Sequence, residues 1–376
     1  MRTFKISQLR MYARIVRGIR IDGTSSRAQL AGQVGISPST MGQHVDDLIQ
    51  RGFVEESGIE QGTVGRPKRL LRLLPGAGWF AGVEFTNGRM QAARLNFAGE
   101  CEQVIVHLLP PDLGGLDLLN EIHRCIEELR PGATGPMLGI GIGSTGFVDP
   151  GSGVVLYAEF TPDWSGMALA ERTRERFGVP VSVENNLHVI ALAERWFGAG
   201  RTEDNFVIVR ARNGFGMGIV KDGSLMPGAH HGAGEIGLWP WPLEKGGGYV
   251  YDALSAQTIW RDLSGAPPEM APPADLPAAL TALSEQTGAA WDHCVEKYAR
   301  VLGMAQLLID ARIFFLHGPL RALGARFCQD ITTAAQELLP PLRHAPLQLV
   351  PSALGKESGA LGAAGLAMEA WDPPWR

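Results

Sequence analysis

The sequence predicts an α/β protein in two parts: a basic head of short helices closed by a β-hairpin, residues 1–75, and a larger body, residues 76–376, built on a repeated strand-and-helix pattern. Three observations predict it. Residues 1–75 hold twelve Lys and Arg against six Asp and Glu, a net of +6 in a chain of formal charge −5, so the body carries −11. Apolar residues in the head recur at helical spacing and then give way to a glycine-rich turn between two short strands. Beyond Pro75-Gly76, two β-meanders follow one another at a separation of about 120 residues.

In the first helix Leu9, Tyr12, Ile15 and Val16 share one face. The second opens at Ser26-Arg27-Ala28-Gln29, a spacing in which the two polar side chains satisfy each other's free N–H groups, and it stops at Gly35. The third takes Ser37 as N-cap and Pro38 at the first helical position, and turns Met41, Val45, Leu48 and Ile49 inward. Its other face shows Ser39, Thr40, Gln43 and His44. A short Gly-containing turn between two helices, the later one polar at its start, is the arrangement that sets a recognition helix in a major groove. Gln and Ser/Thr side chains read base edges, and His44 reaches a base or a phosphate.

The strand-like Phe53-Val54 and Leu70–Leu73 flank a hairpin from Gly58 to Gly65, which reads as a wing and makes the head a winged helix-turn-helix. At its far end Gly65-Arg66-Pro67-Lys68 projects two cations suited to a minor groove or to phosphates. The expected contacts to double-stranded operator DNA are thus Ser37, Ser39, Thr40, Gln43, His44, Arg66 and Lys68. The competing reading is a helical interaction domain with a solvated polar face; spacing, charge and wing together favour DNA. Asp46 and Asp47 would oppose a duplex they faced, and are expected to lie beside it.

The body begins with strands at Val83–Thr86 and Met90–Leu95 around Asn87-Gly88, a strong hairpin signal, and a third through Val104-Ile105-Val106. The pattern returns at Phe206–Val209, Gly218–Val220 and Ser224–Met226. Two lobes, about 76–200 and 201–376, are expected to flank a cleft, with the C-terminal helix returning to the first lobe. Gly265 to Ala279 is rich in Pro and Ala and reads as an exposed or disordered loop. Cys101, Cys125, Cys294 and Cys328 are scattered, without a Cys-x-x-Cys pair, and read as buried thiols. No run approaches the eighteen or so apolar residues a membrane helix requires, so a cytoplasmic protein without a membrane partner is expected.

Several stretches resemble the ROK family of repressors and sugar kinases: Gly139–Asp149 (GIGIGSTGFVD), Val183–Gly200 (VENNLHVIALAERWFGAG), Met226–Gly237 (MPGAHHGAGEIG), Leu308–Leu320 and Pro351–Ala367. Each is a weak, Gly-rich motif; their order behind a winged helix is specific. The resemblance covers about residues 79–370 and implies a two-lobed actin-like, hexokinase-like ATPase fold behind the DNA-binding head, as in the family's repressor branch.

That resemblance also implies what is missing. Family kinases carry their base as the aspartate of an Asn-Asp pair, and here Asn186 stands in its place; an amide cannot take the proton, so no catalytic residue and no enzyme is expected. His188 as a substitute base is the weaker of its two readings, the other being structural. The first phosphate loop reads Glu84-Phe85-Thr86-Asn87 instead of Asp-x-Gly-Gly-Thr, and Arg212 and Asn213 intrude on the second, which keeps Gly214, Gly216 and Gly218. ATP is therefore not expected. Nor is zinc: the family's histidine is Leu238, and the cysteine stretch has become Glu244 to Tyr251, so a hydrophobic cluster is expected at that corner. Of the family's sugar contacts Asn185 and Glu235 remain, and Asn186, Ser144, Thr145 and His230 are further candidates to hold a sugar or sugar derivative. The implied function is a transcriptional regulator, a repressor acting as a homodimer or dimer of dimers; the alternatives are a vestigial pocket controlled by a protein partner, and an active sugar kinase.

Overall fold

The computed structural model describes residues 6–60, 68–86, 88–110, 113–158, 161–212, 214–241, 248–338 and 346–373. The chain divides into two compact units, Met1–Asn185 with Gly359–Arg376, and Asn186–Ser358.

In the first unit the head comprises α1 (Ile6–Asp22), β1 (Ser25–Ser26), α2 (Arg27–Val34), α3 (Pro38–Gln50), β2 (Val54–Glu60) and β3 (Lys68–Leu73). Ser26 caps α2 with Gln29 reciprocating, and Gly35 ends it at φ 77°, a left-handed conformation that suits glycine. Ser37 caps α3. Leu9, Tyr12, Ile15, Val16, Leu30, Met41, Val45 and Leu48 are all buried. The two-residue β1, read from sequence only as a cap, also pairs with β3, so the head's sheet has three strands in the order β1-β3-β2.

The first lobe of the body follows: β4 (Trp79–Thr86), β5 (Arg89–Asn96), β6 (Cys101–Leu108), α4 (Gly115–Glu128), β7 (Met137–Ser144), β8 (Phe147–Asp149), β9 (Val154–Tyr157), α5 (Leu169–Phe177) and β10 (Val181–Asn185). Its main sheet runs β10-β7-β4-β5-β6, with the meander antiparallel and β7 and β10 parallel to β4. One face packs on α4 and α5 through Leu118, Ile122, Ile126 and Phe177.

The second unit opens with α6 (Asn186–Phe197) and continues through β11 (Phe206–Ala211), β12 (Phe215–Lys221), β13 (Ser224–Leu225), β14 (Pro240–Trp241), β15 (Gly248–Tyr249), α7 (Val250–Leu254), α8 (Ala256–Ser264), α9 (Leu276–Thr281), α10 (Ala289–Ile309), β16 (Ile313–His317), α11 (Gly324–Leu338) and β17 (Leu349–Pro351). Its main sheet is β13-β12-β11-β16-β17. The division therefore falls at Asn185/Asn186 instead of near residue 200, because α6 packs on β11 and β12. Part of the expected loop 265–279 is helical: Asp275 caps α9 by accepting from the Ala278 N–H, and Leu280 is fully buried.

The last helix, α12 (Ser358–Glu369), lies from Gly359 onward with the first unit. Gly82 and Gly141 let it sit directly on β4 and β7, since a Cβ at either would collide with the α12 backbone at Ala360 and Ala364 or at Ala363. Cys125, Cys294 and Cys328 are buried, each thiol pushed up to about 12 by loss of solvent. Cys101 departs from expectation and is exposed, because it begins the sheet-edge strand β6.

Candidate nucleic-acid interface and sensor residues

Capping and packing fix the recognition helix α3, and together they decide which side chains it can offer. Ser39 and Gln43 are exposed. Ser37 and Thr40 are exposed too, but their hydroxyls lie 2.8 Å apart and the Ser37 Oγ accepts the Thr40 N–H, so capping already occupies Ser37. His44 is half-buried, edge-on to the Tyr12 ring at 5.3 Å, and burial lowers its pKa, outweighing the nearby Asp47. Lys68 is exposed at the start of β3. Arg66 lies outside the described residues.

The acids flanking this face are neutralised within the head. Asp47 accepts from the Tyr12 hydroxyl at 2.6 Å and from Arg51 at 3.2 Å. Asp46 is paired with Arg27 at 2.7 Å, Glu56 with Arg27 and Arg69, and Glu55 with Arg72. The count of twelve cations therefore overstates how many are left for phosphates, because four of the arginines are already paired with the head's own carboxylates, although the net of +6 is unchanged. Of these pairs only Arg51 with Asp47, four residues apart, is legible in the sequence; the others join residues up to 29 positions apart.

In the first unit Asn185 on β10 pairs in register with Ser144 on β7 and donates from Nδ2 to the Gly146 carbonyl at 2.9 Å. Ser144 is fully buried, accepting from the Trp164 indole at 2.9 Å and donating to the Thr145 carbonyl at 3.0 Å. It thus shapes the turn and, contrary to the sequence reading, shows no surface to a ligand. Thr145 Oγ1 is buried with no hydrogen-bond partner among the described residues. Glu84 and Glu184 are buried beside this strand end, Glu184 accepting the Asn185 N–H at 2.8 Å.

In the second unit Asn186 begins α6 half-buried, and the buried His188 places Nε2 3.3 Å from the Ala233 carbonyl. Glu235 is half-buried; burial pushes its carboxyl up, and His188 opposes this. His230 is exposed. Gly216 and Gly218 have their Cβ space filled by Leu187 of α6, and at Gly218 by Ala191 as well. At these two positions glycine serves helix–strand packing, whereas Gly214 has open space where a Cβ would stand. At the corner where the resemblance implies zinc, Trp239, Trp241 and Tyr251 pack on the second unit's core, while Leu238 is exposed instead of joining them. Indole, phenol and aliphatic groups do not fit the metal. Among the described residues no group of three or more His, Cys, Asp or Glu is placed to hold an ion.

The ROK family profile matches residues 102–370, and a winged helix-turn-helix DNA-binding profile matches residues 14–55. The chain belongs to the ROK family. A xylose repressor of Bacillus subtilis is 30% identical over 225 residues, 56% of this chain and 55% of its own. The chain thus spans about half the length of the curated relatives it matches. A ROK family transcriptional regulator, a homologue of the E. coli MLC protein, superposes with a TM-score of 0.79 at 22% identity, over 97% of this chain and 96% of that one. A ROK family glucokinase from Streptomyces griseus, solved with glucose and AMPPNP, superposes at 0.66 and 21% identity over 78% and 100%. The fold is that of a winged helix-turn-helix joined to a ROK sugar-kinase-like body. Regulators and kinases share that body, so the fold alone does not decide between them.

Sequence reasoning missed four residues of the first unit that join the ROK body to its head: Arg20, Phe53, Phe97 and Trp371. Arg20 donates to the Phe97 carbonyl at 2.8 Å. The Phe53, Phe97 and Trp371 rings meet pairwise at 5.0 to 5.5 Å. Arg20 lies one helical turn beyond the buried Val16, the one signal that could have flagged it.

Proposed function

We propose that this ROK protein is a DNA-binding transcriptional repressor, working as a homodimer or dimer of dimers in the cytoplasm, whose body recognises a sugar without phosphorylating it. The observation that carries the proposal is the uncharged polar face of α3, with Gln43 and Ser39 exposed and the acids beside it paired with Arg27 and Arg51, Asp47 also accepting from the Tyr12 hydroxyl. Such a face reads base edges without repelling the duplex. Lys68 and Arg66 supply phosphate or minor-groove contacts. The candidate ligand contacts are Thr145 and Asn185 in the first unit, and Asn186, Glu235 and the exposed His230 in the second. Asn186 at the base position is what separates sensing from catalysis: an amide hydrogen-bonds a hydroxyl but does not deprotonate it.

The test is binding of the full chain to duplexes selected from a random library, measured across salt. Affinity is expected to fall steeply with salt, Lys68→Ala to flatten that slope by about one and weaken all sequences alike, and Gln43→Ala to change the preferred sequence. A chain without salt-sensitive DNA binding refutes the reading. D-xylose, suggested by the B. subtilis repressor's name, and D-glucose are the first sugars to try, since a ligand of the folded body raises its melting temperature by mass action. Sugar-dependent release of ADP from ATP overturns the non-catalytic part.

A further inference from the structure

In the first unit α12 touches two places of consequence. At its start, a Cβ on Gly359 would meet the Glu84 carboxyl at 2.7 Å, so the helix begins against the end of β4. Its middle lies on Gly82 and Gly141, and β7 carries Gly141 forward to Ser144 and Thr145. Twelve residues make a rod of about 18 Å. Just past its end Trp371 is wedged, 6% exposed, between Phe97 of the β5–β6 turn and Phe53 of the head. Phe53 follows the recognition helix directly, its N–H bonded to the Leu48 carbonyl of α3. Arg20, in the last turn of α1, completes the cluster by lying over the Phe97 and Phe80 rings at 5.3 and 5.9 Å, while Arg17 faces Glu369 of α12 at 3.8 Å.

We infer that Arg20, Phe53, Phe97 and Trp371 form a latch that fixes the DNA-binding head on the body, and that α12 is the rod which sets the latch from the strand end carrying Glu84 and Thr145. The head is gripped at two places, at the end of α1 through Arg20 and just beyond α3 through Phe53. The joint between head and body, Leu74 to Gly78, is otherwise one short turn with its own glycines. Aromatic edges and an arginine face hold strongly only at close range, so a small displacement of Trp371 frees the head. The Arg20 guanidinium, its pKa brought down to about 9 chiefly by burial, is stripped of solvent in the closed latch and regains it on release.

The latch itself does not depend on the sugar reading, and only one arm of its test depends on DNA binding. Full-length wild type, Trp371→Ala and Arg20→Leu are compared in limited proteolysis, thermal melting, and binding to a duplex selected by the wild type. Cleavage within residues 74–78 is expected to quicken at least tenfold in both variants while the body's melting transition persists. DNA affinity is expected to fall several-fold with an unchanged salt slope, because the phosphate contacts survive and only their preorganisation is lost. Should Trp371→Ala fail to fold, Arg20→Leu carries the comparison, and Trp371→Phe, which keeps a ring in place, is expected to behave as wild type. Folded variants that are cleaved at the wild-type rate overturn the latch, whatever the DNA result. A wild type that binds no DNA while the variants are cleaved faster refutes the regulator reading and leaves the latch standing.

Discussion

The two lobes of the body use the same sheet, yet each is covered by its helix in a different way. In each, a meander stands beside two strands parallel to its first: β10-β7-β4-β5-β6 in one, β17-β16-β11-β12-β13 in the other. In each, a helix comes close at glycines. In the first lobe the helix is α12, a run of Ala and Gly from the far end of the chain, which lies on Gly82 and Gly141. In the second it is α6, which follows β10 directly and reaches Gly216 and Gly218 with Leu187 and Ala191. The second lobe also ties its helix with buried polar bonds. Glu194 on α6, fully buried, accepts from His317 at the end of β16 at 2.9 Å and from Ser352 beyond β17 at 2.7 Å. Directional bonds hold a helix in one place, whereas a small-residue seam holds it through shape alone. The difference suits a fixed α6 that presents Asn186 and His188, and an α12 able to shift against its sheet.

The seam is the most fragile part of this comparison. Gly141→Val is expected to cost upwards of 3 kcal/mol, or to abolish soluble protein, because its side chain runs into the Ala363 backbone and not into a movable side-chain end. Gly218→Ala, whose Cβ would meet the Leu187 carbonyl at 2.8 Å and the Ala191 methyl at 3.0 Å, is expected to cost about 1 to 3 kcal/mol. Urea denaturation of both variants gives the ranking, and equal losses would mean that the two seams are equally tolerant.

Sequence and structure agree most where the physics is local. The Ser26 and Ser37 caps, the Gly35 stop and the inward face of α3 need only a few neighbouring residues, and each appears in place. The glycine motif from Gly139 to Gly143 marked the ROK body, but its packing role was hidden, because the partner helix lies more than two hundred residues away. For the same reason the occupied hydroxyl of Ser144 was hidden: its partner Trp164 sits 20 residues on, beyond the paired strands β8 and β9. Asp46 and Asp47 could be suspected as a problem for DNA; Arg51, four residues beyond Asp47, is legible in the sequence, whereas Arg27, which answers Asp46, becomes visible only once α2 and α3 are packed. Long-range pairing of charges and close approach of backbones are properties of the fold, so a linear reading finds the site's residue types before it finds which of them are free to act.

The polar tie in the second lobe sharpens the contrast at the next level of effect. Burial pushes the Glu194 carboxyl up, but the bonds from His317 and Ser352 outweigh it and hold the group ionised. Burial meanwhile lowers His317, against the pull of Glu194, so the histidine is neutral and donates from Nε2. Glu194→Ala strands both donors in the core and is expected to cost about 3 kcal/mol, with Glu194→Gln losing roughly half as much because the amide oxygen still accepts. Hydrogen exchange should then show α6 loosened while α12 keeps its protection. If α12 loosens equally, the two helices are not held independently.

The smallest effect distinguishes the lobes by pH. His123 on α4 of the first lobe is 7% exposed, 3.2 Å from the Thr173 hydroxyl and edge-on to Phe177 at 5.4 Å. Burial, with help from Arg176 and against Glu127, brings its pKa down to about 4. The unfolded chain takes up this proton near pH 6.5, ahead of the folded one. Its contribution is therefore intact above about pH 6.5 and is lost as the pH falls towards 4. The loss is expected to be on the order of 1 kcal/mol once solvent screening is allowed for. His317 in the second lobe shifts in the same direction, so melting of the wild type at falling pH does not separate the two. His123→Gln does: it removes the first-lobe proton, and its stability deficit against the wild type should narrow steadily between pH 6.5 and 4. A deficit that stays constant across that range would place the acid sensitivity in the second lobe, with the pinned helix and not with the sheet on which α12 lies.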